Sequence, residues 1–233
     1  MKALSQEFFL SNELRYLIDH RNLQPGDKLP SERELCTIFN CQRLAVRTAL
    51  QMLEQEKLIY SQPKSGYFVD KKRIEKNVMS IPTVMESIPK NVESSMKLIK
   101  FLDVEANKYV SRETSLPLGT HLYEIKLLRL VNDEPVCVDY AYVPVRLAPD
   151  LDQYDFEKEQ LYSILRNDYH ISLTSGIQKI RVIEVEQAYR ELLRLNVDDH
   201  VVLQTGSVFD EHGSFAAFIE SYINYDRFSY VLH

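Results

Sequence analysis

The sequence predicts an α+β chain, with a small helical module first and a mainly antiparallel β-sheet domain with flanking helices after it. Three observations carry this reading. Apolar residues recur at helical spacing through the first third of the chain. From about residue 91 the texture changes to alternating and β-branched runs. Two of those runs are split by the turn signals Asn132-Asp133-Glu134 and Asp210-Glu211-His212-Gly213, which read as hairpins. A length of 233 residues, 45% of them hydrophobic, suits two modest domains with proper cores. The expected boundaries are 1–70 for the helical module, 71–90 for a linker and 91–233 for the sheet domain.

Leu10, Leu14, Leu17 and Ile18 make residues 6–20 the first helix, which Pro25-Gly26 ends in a turn. Ser31 and Glu34 form a capping box that starts the second helix, with Leu35, Ile38 and Phe39 on its apolar face. Asn40-Cys41 breaks it. A third helix over about Gln42–Gln55 turns Val46, Ala49, Leu50 and Leu53 inward. Leu58–Ser61 and Tyr67–Val69 are extended, and the polar loop from Gln62 to Gly66 protrudes between them as a wing. Asp70-Lys71-Lys72-Arg73, Pro82 and Pro89 mark the following stretch as a tether. Beyond it the pattern predicts strands over 95–105, 121–131, 135–143, 177–185, 201–209 and 214–225. Short helices are expected near 107–113, 159–167 and 186–195.

Composition excludes several classes. No run approaches the roughly 20 apolar residues of a membrane span, and the N-terminus turns polar before a signal peptide's apolar block can form. Cys36, Cys41 and Cys137 are too few, and odd in number, for a disulfide framework. They read as thiols in a reducing cytosol. No metal or cofactor is expected: the histidines are scattered and no finger-type spacing accompanies the cysteines. The net charge of −6 hides an asymmetry. Residues 1–76 hold 13 Lys and Arg against 10 Asp and Glu, the remainder 15 against 24. A basic module on an acidic body fits a local nucleic-acid contact rather than a general coat.

The chemistry concentrates in residues 30–69. Two short helices have helix-turn-helix spacing, and Arg43 and Arg47, four residues apart, share one face of the second. Arginine forks match guanine edges and phosphates, and Gln42 can pair with adenine. The Ser31 end of the preceding helix offers backbone amides to a phosphate, with Arg33 nearby. Gly66 permits close backbone approach to a groove. The competing reading is a small helical domain whose arginines pair with Glu32, Glu34 or Glu54.

Leu29-Pro30-Ser31-Glu32-Arg33-Glu34-Leu35, Cys41 through Leu50, Leu58-Ile59 and Gly66-Tyr67-Phe68-Val69 together resemble the winged-helix domain of the GntR superfamily of bacterial transcription regulators. The resemblance covers about residues 5–70. It implies DNA contacts at Arg33, Arg43, Arg47 and Gly66; Gln42, Lys64 and Ser65 join them on chemistry, and Ser31 by its helix end. Gln42 and Ala45 stand where the family usually has Ser and Thr, and Lys64 where a wing glycine is common.

Residues 80–233 resemble the HutC-type effector domain, also called UTRA, which shares its fold with chorismate lyase. Tyr123 through Pro135, Val143-Pro144 and Glu220 through Phe228 carry the resemblance. It implies an effector pocket with Arg129 and Asp139. Two further positions of the sugar-phosphate pattern hold Leu127 and Ala217 instead, which favours a smaller, singly charged or more apolar ligand. Tyr140, Tyr142, Thr174, Ser175 and Tyr222 are the other candidates for that pocket, and Arg129 reads equally as a hairpin ion pair with Asp139 or Glu124.

No hydrolase elbow, zinc-protease motif or phosphate-binding loop is present. The sequence therefore points to a non-enzyme: a cytoplasmic, ligand-responsive DNA-binding transcription regulator. The expected form is a homodimeric repressor released from a near-palindromic operator by a small-molecule effector, for which an anion is a candidate. A chorismate-lyase-type enzyme and a winged-helix protein-interaction module are the alternatives.

Overall fold

A computed structural model describes residues 6–71, 73–78, 87–89 and 91–232. The chain divides between Arg73 and Ile74 into two compact units.

In the first unit, α1 (Gln6–His20), α2 (Glu32–Phe39) and α3 (Arg43–Gln55) precede the hairpin of β1 (Ile59–Gln62) and β2 (Gly66–Val69). Ser31 caps α2 as its sequence predicts: the Glu34 amide donates to Ser31 Oγ at 3.3 Å and the Ser31 amide to Glu34 Oε2 at 2.8 Å. Asn40 ends α2 in the left-handed conformation, and the Cys41 amide closes the turn on the Cys36 carbonyl at 3.2 Å. That turn aims α3 across α2. Leu35, Val46, Ala49, Leu50 and Leu53 then meet Leu10, Leu14, Ile59 and Val69 in one core. The Leu29 amide bonds the Tyr67 carbonyl and the Val69 amide bonds the Asp27 carbonyl, both at 2.9 Å, so residues 27–29 flank the outer edge of the wing.

The second unit is built on a six-stranded antiparallel sheet of order β4-β5-β6-β9-β8-β7. The strands are β4 (Ser94–Glu105), β5 (His121–Val131), β6 (Glu134–Pro144), β7 (Leu173–Glu184), β8 (His200–Asp210) and β9 (Phe215–Asn224). Asn132 and Asp133, with φ of 49° and 60°, make the two-residue turn between β5 and β6, whose left-handed pair matches strand twist. Alternate residues serve opposite faces. On one face Ile125, Leu127, Ala141 and Ile219 pack with Leu161, Ile164 and Leu165 of α5 (Leu161–Asn167). On the other, Leu128, Val138 and Val201 pack against Leu193 of α6 (Gln187–Leu193), and Leu122 against Val110 of α4 (Lys108–Thr114). The end strands β4 and β7 carry more exposed positions than the inner four.

The tether expected over 71–90 is corrected in part. Ile74–Asn77 is a strand, β3, paired in parallel with β10 (Phe228–Val231). The physical cause is apolar: Ile74 and Phe228 are buried side by side, and with Ile88 they cover Val131, Cys137, Val202 and Ile223. Pro82 lies outside the described residues.

Replacing Phe228 with alanine empties a site that is 3% exposed. Urea unfolding of the variant is expected to lose about 3–5 kcal/mol of stability.

Candidate nucleic-acid interface and effector site

The inward residues of α3 dictate what its other side presents. With Ala45, Val46, Ala49, Leu50 and Leu53 buried, Arg43, Leu44, Arg47 and Gln51 must face outward, and all four are exposed. Arg43 and Arg47 are held, not loose. Glu32, at the start of α2, accepts from Arg43 Nε at 2.6 Å and from Arg47 Nε at 3.3 Å. The hydrogen bond from Arg43, then that from Arg47, holds the Glu32 carboxyl below its usual value of 4.5, and Glu32 in turn raises the Arg47 guanidinium. Both arginine side chains remain more than half exposed. Gln42 is the N-cap of α3 and makes no side-chain cap bond, so its amide is available.

Arg33 and Lys64 make no ion pair or side-chain hydrogen bond among the described residues, and both are exposed. Lys64 has φ 63°, which is the physical reason a glycine suits that wing position. Gly66 has φ 108°, with the Lys28 side chain 3.5 Å from where a Cβ would stand. The Ser65 amide is turned back onto Gln62 O at 3.0 Å. Ser31 differs from expectation: its amide and hydroxyl are both spent on Glu34 Oε2, at 2.8 Å each. Among the described residues, the amides at this helix end without a partner are those of Glu32 and Arg33. A shallow concavity lies beside them, lined by Pro30, Ser31, Arg33, Glu34, Thr37 and Ile38.

In the second unit the residues expected to line one pocket fall on two faces of the sheet. Arg129 and Asp139 lie on the α5 face. Asp139 pairs through one oxygen with Arg129 Nε; its other oxygen accepts from Ser221 Oγ at 2.5 Å and Cys137 Sγ at 3.1 Å. Burial opposes the charge on Asp139, but Arg129, Ser221 and Cys137 outweigh it and hold the carboxyl below the usual range. Burial, then Asp139, pushes the Cys137 thiol well up. Arg129 Nη1 points at Met96 Sδ, 2.8 Å away, and Nη2 has no partner among the described residues. One strand over, Gln204 gives Nε2 to Gln178 Oε1 at 2.5 Å and leaves its own buried Oε1 without a hydrogen-bond partner among the described residues. Sequence reasoning missed Ser221, Gln204, Gln178 and the buried Lys76 on β3. Strand alternation places Gln204 opposite Ser221 and Asp139, so period two was the available signal. Leu127 and Ala217 are both packed into the apolar cluster beside this string.

Tyr140, Tyr142 and Tyr222 lie on the opposite face, with α4 and α6. Tyr222 stacks on Tyr189 of α6 at 4.1 Å, and Tyr140 and Tyr189 share a hydrogen bond of 3.0 Å. The hydroxyls of Tyr109 and Tyr222 both donate to Glu220 at 2.6 Å. Burial first and Glu220 second push both hydroxyls far above the ordinary tyrosine range. Lys126 Nζ sits 5.1 Å from the Tyr140 and Tyr189 ring centres. These tyrosines pack helices onto the sheet and do not meet Arg129. Thr174 and Ser175 are exposed at the start of β7, where Thr174 Oγ1 donates to the Asp210 carbonyl at 3.0 Å.

Residues 9–69 match the family of bacterial regulatory proteins called gntR, and residues 90–229 match the UTRA domain. The chain is 23% identical to the transcriptional repressor NagR of Bacillus subtilis, over 95% of this chain and 91% of that protein. It is 22% identical to the mannosyl-D-glycerate transport/metabolism system repressor MngR of Escherichia coli, over 80% of this chain and 72% of the relative. The crystal structure of PhnF from Mycobacterium smegmatis superposes with a TM-score of 0.71 at 18% identity, covering 96% of this chain and 98% of that one. The shared fold is therefore a helix-turn-helix with wing followed by an antiparallel sheet domain.

Two measurements test this geometry. Glu32 is depressed below 4.5, so its contribution to stability is present above that value and is lost as pH falls through the depressed one. Acid unfolding should therefore flatten over that window in Glu32→Gln, with the neutral-pH fold kept by circular dichroism. Asp139→Asn removes the charge that balances buried Arg129, and about 3–5 kcal/mol should be lost in urea unfolding.

Proposed function

The chain belongs to the GntR family of bacterial regulatory proteins, in the HutC arrangement of helix-turn-helix head and UTRA domain, and from that premise we propose that it represses a carbohydrate-utilisation operon. It is a DNA-binding transcription regulator and not an enzyme. The observation that carries the finer reading is the outward face of α3, where Arg43 and Arg47 stand exposed but pre-aimed by Glu32. Arg33, Gln42, Lys64 and Gly66 extend that face to the start of α2 and the wing tip, and the open amides of Glu32 and Arg33 offer it a phosphate site. Ser31 acts through the cap and Ser65 through its hydroxyl. The recognition helix enters the major groove, and its first turn reaches base edges.

A single head makes few contacts, so two copies act on a near-palindromic operator. The homodimer forms through the second unit, whose edge strand β7 leaves Ile177 and Val182 exposed. The regulator works in the cytoplasm, where its DNA is.

The effector binds on the α5 face, between the Arg129–Asp139–Ser221 string and Gln204. Arg129 is already half satisfied by Asp139 and offers one open nitrogen, which suits a ligand with at most one negative group. Gln204 Oε1 and Ser221 suit hydroxyls. A polyhydroxylated ligand of this kind fits the naming of the MngR relative for a sugar derivative. Release requires that the effector favour the DNA-incompetent state; equal affinity for both states would regulate nothing.

Binding to the chain's own upstream DNA at physiological salt tests the reading. Arg43→Ala and Arg47→Ala should each weaken selective binding by roughly tenfold or more, and each should flatten the dependence on salt. Wild-type-like binding by both variants would sink it. In the same assay, a panel of hexoses, amino sugars and their monophosphates is expected to include one that releases wild type and fails on Gln204→Leu. That variant should still bind DNA.

A further inference from the structure

We propose that Leu44 reads thymine: it packs against a C5-methyl group in the major groove and sets part of the operator's sequence. The inference deepens the DNA-binding reading above and rests on it.

Leu44 is the second residue of α3 and is 74% exposed. It belongs to none of the apolar clusters of the first unit, whose inward stripe passes through Ala45, 6% exposed, and Val46, 1% exposed. Singly exposed leucines are ordinary on protein surfaces, so exposure alone says little. Placement decides. The first turn of a recognition helix is the part that reaches base edges. Leu44 has Gln42 and Arg43 before it and Arg47 and Thr48 one turn on, so an apolar side chain stands in the middle of a face that is otherwise polar or cationic.

The arginines do not cover it. Both are drawn toward Glu32 on α2, and Leu44 projects about 100° around the helix from Arg43. Bases present only one apolar group in the major groove, the thymine methyl. A leucine there cannot pair with a donor or acceptor, and would strip water from one if it met it. Its favourable neighbour is that methyl. This also revises which residue varies the base preference. Ala45, which stands where the family usually has a hydroxyl-bearing residue, faces the core and reads nothing.

The test uses the full-length protein and no assumed operator. Sites are selected from a randomised duplex pool, and each thymine of the selected site is then replaced by deoxyuridine, which deletes only the methyl. Wild type should lose roughly fourfold in affinity at one or two positions per half-site, the value of one buried methyl. Leu44→Ala should bind the thymine site more weakly by the same factor and lose nothing further on deoxyuridine at those positions. Being exposed, it should keep wild-type thermal stability. Selective binding that tolerates deoxyuridine everywhere would overturn this inference alone, as would a deoxyuridine loss that persists in Leu44→Ala. Failure to select any sequence would overturn both this inference and the DNA-binding reading.

Discussion

Both faces of the sheet are covered over its four inner strands, and much of the second unit follows from that. A sheet with one wet face places polar residues on alternate positions at little cost. Here β5, β6, β8 and β9 have buried residues on both sides, so a polar side chain among them is costly unless it finds a partner, as nearly all of these do. On one face the solution is Arg129 against Asp139, with Ser221 and Cys137 filling the remaining carboxylate positions. On the other it is Glu220, which accepts from Tyr109 and Tyr222. Buried pairs of this kind are weak contributors to net stability, because desolvation cancels most of the attraction. Their value lies in being expensive to break. An arginine parked on an internal carboxylate is a group that a ligand can engage without first carrying a naked charge out of water.

The same rule decides how much was legible beforehand. Local signals read well. The Ser31–Glu34 box, the Asn132-Asp133 turn and the helix over Gln6–His20 each depend on residues within a few positions of one another, and each stands where the sequence puts it. The parallel pairing of Ile74–Asn77 with Phe228–Val231 was invisible, because its partners are far apart in the chain and neither strand alternates long enough to declare itself. What makes it a ribbon is the shared burial of Ile74 and Phe228, a tertiary fact.

The effector candidates are divided between the two faces of the sheet for a different reason. Asp139 and Tyr140 are adjacent, as are Ser221 and Tyr222, and adjacent residues on a strand point to opposite faces. A list drawn from motif positions mixed the two sets. Parity along the strands separates them: Arg129, Asp139, Ser221 and Gln204 on one side, Tyr140, Tyr142, Tyr222 and Glu220 on the other. Gln204, a polar residue in the β-branched run of β8, was the neglected sign of a polar string crossing the sheet.

In the head the two readings of the arginines do not exclude one another. Arg43 and Arg47 do pair with Glu32, as a purely structural account requires. Exposed pairs of this sort are worth only about 0–1 kcal/mol, so giving one up to a phosphate or a guanine costs little. A free arginine carries about 2 kcal/mol of rotamer entropy, and a side chain already bonded to Glu32 has surrendered part of it before DNA arrives. Removing the Glu32 charge should free the arginines without improving the fit, because the entropy that Glu32 withdraws during folding would then be withdrawn on binding instead. The acidic residue in the basic face thus sets where its two arginines point.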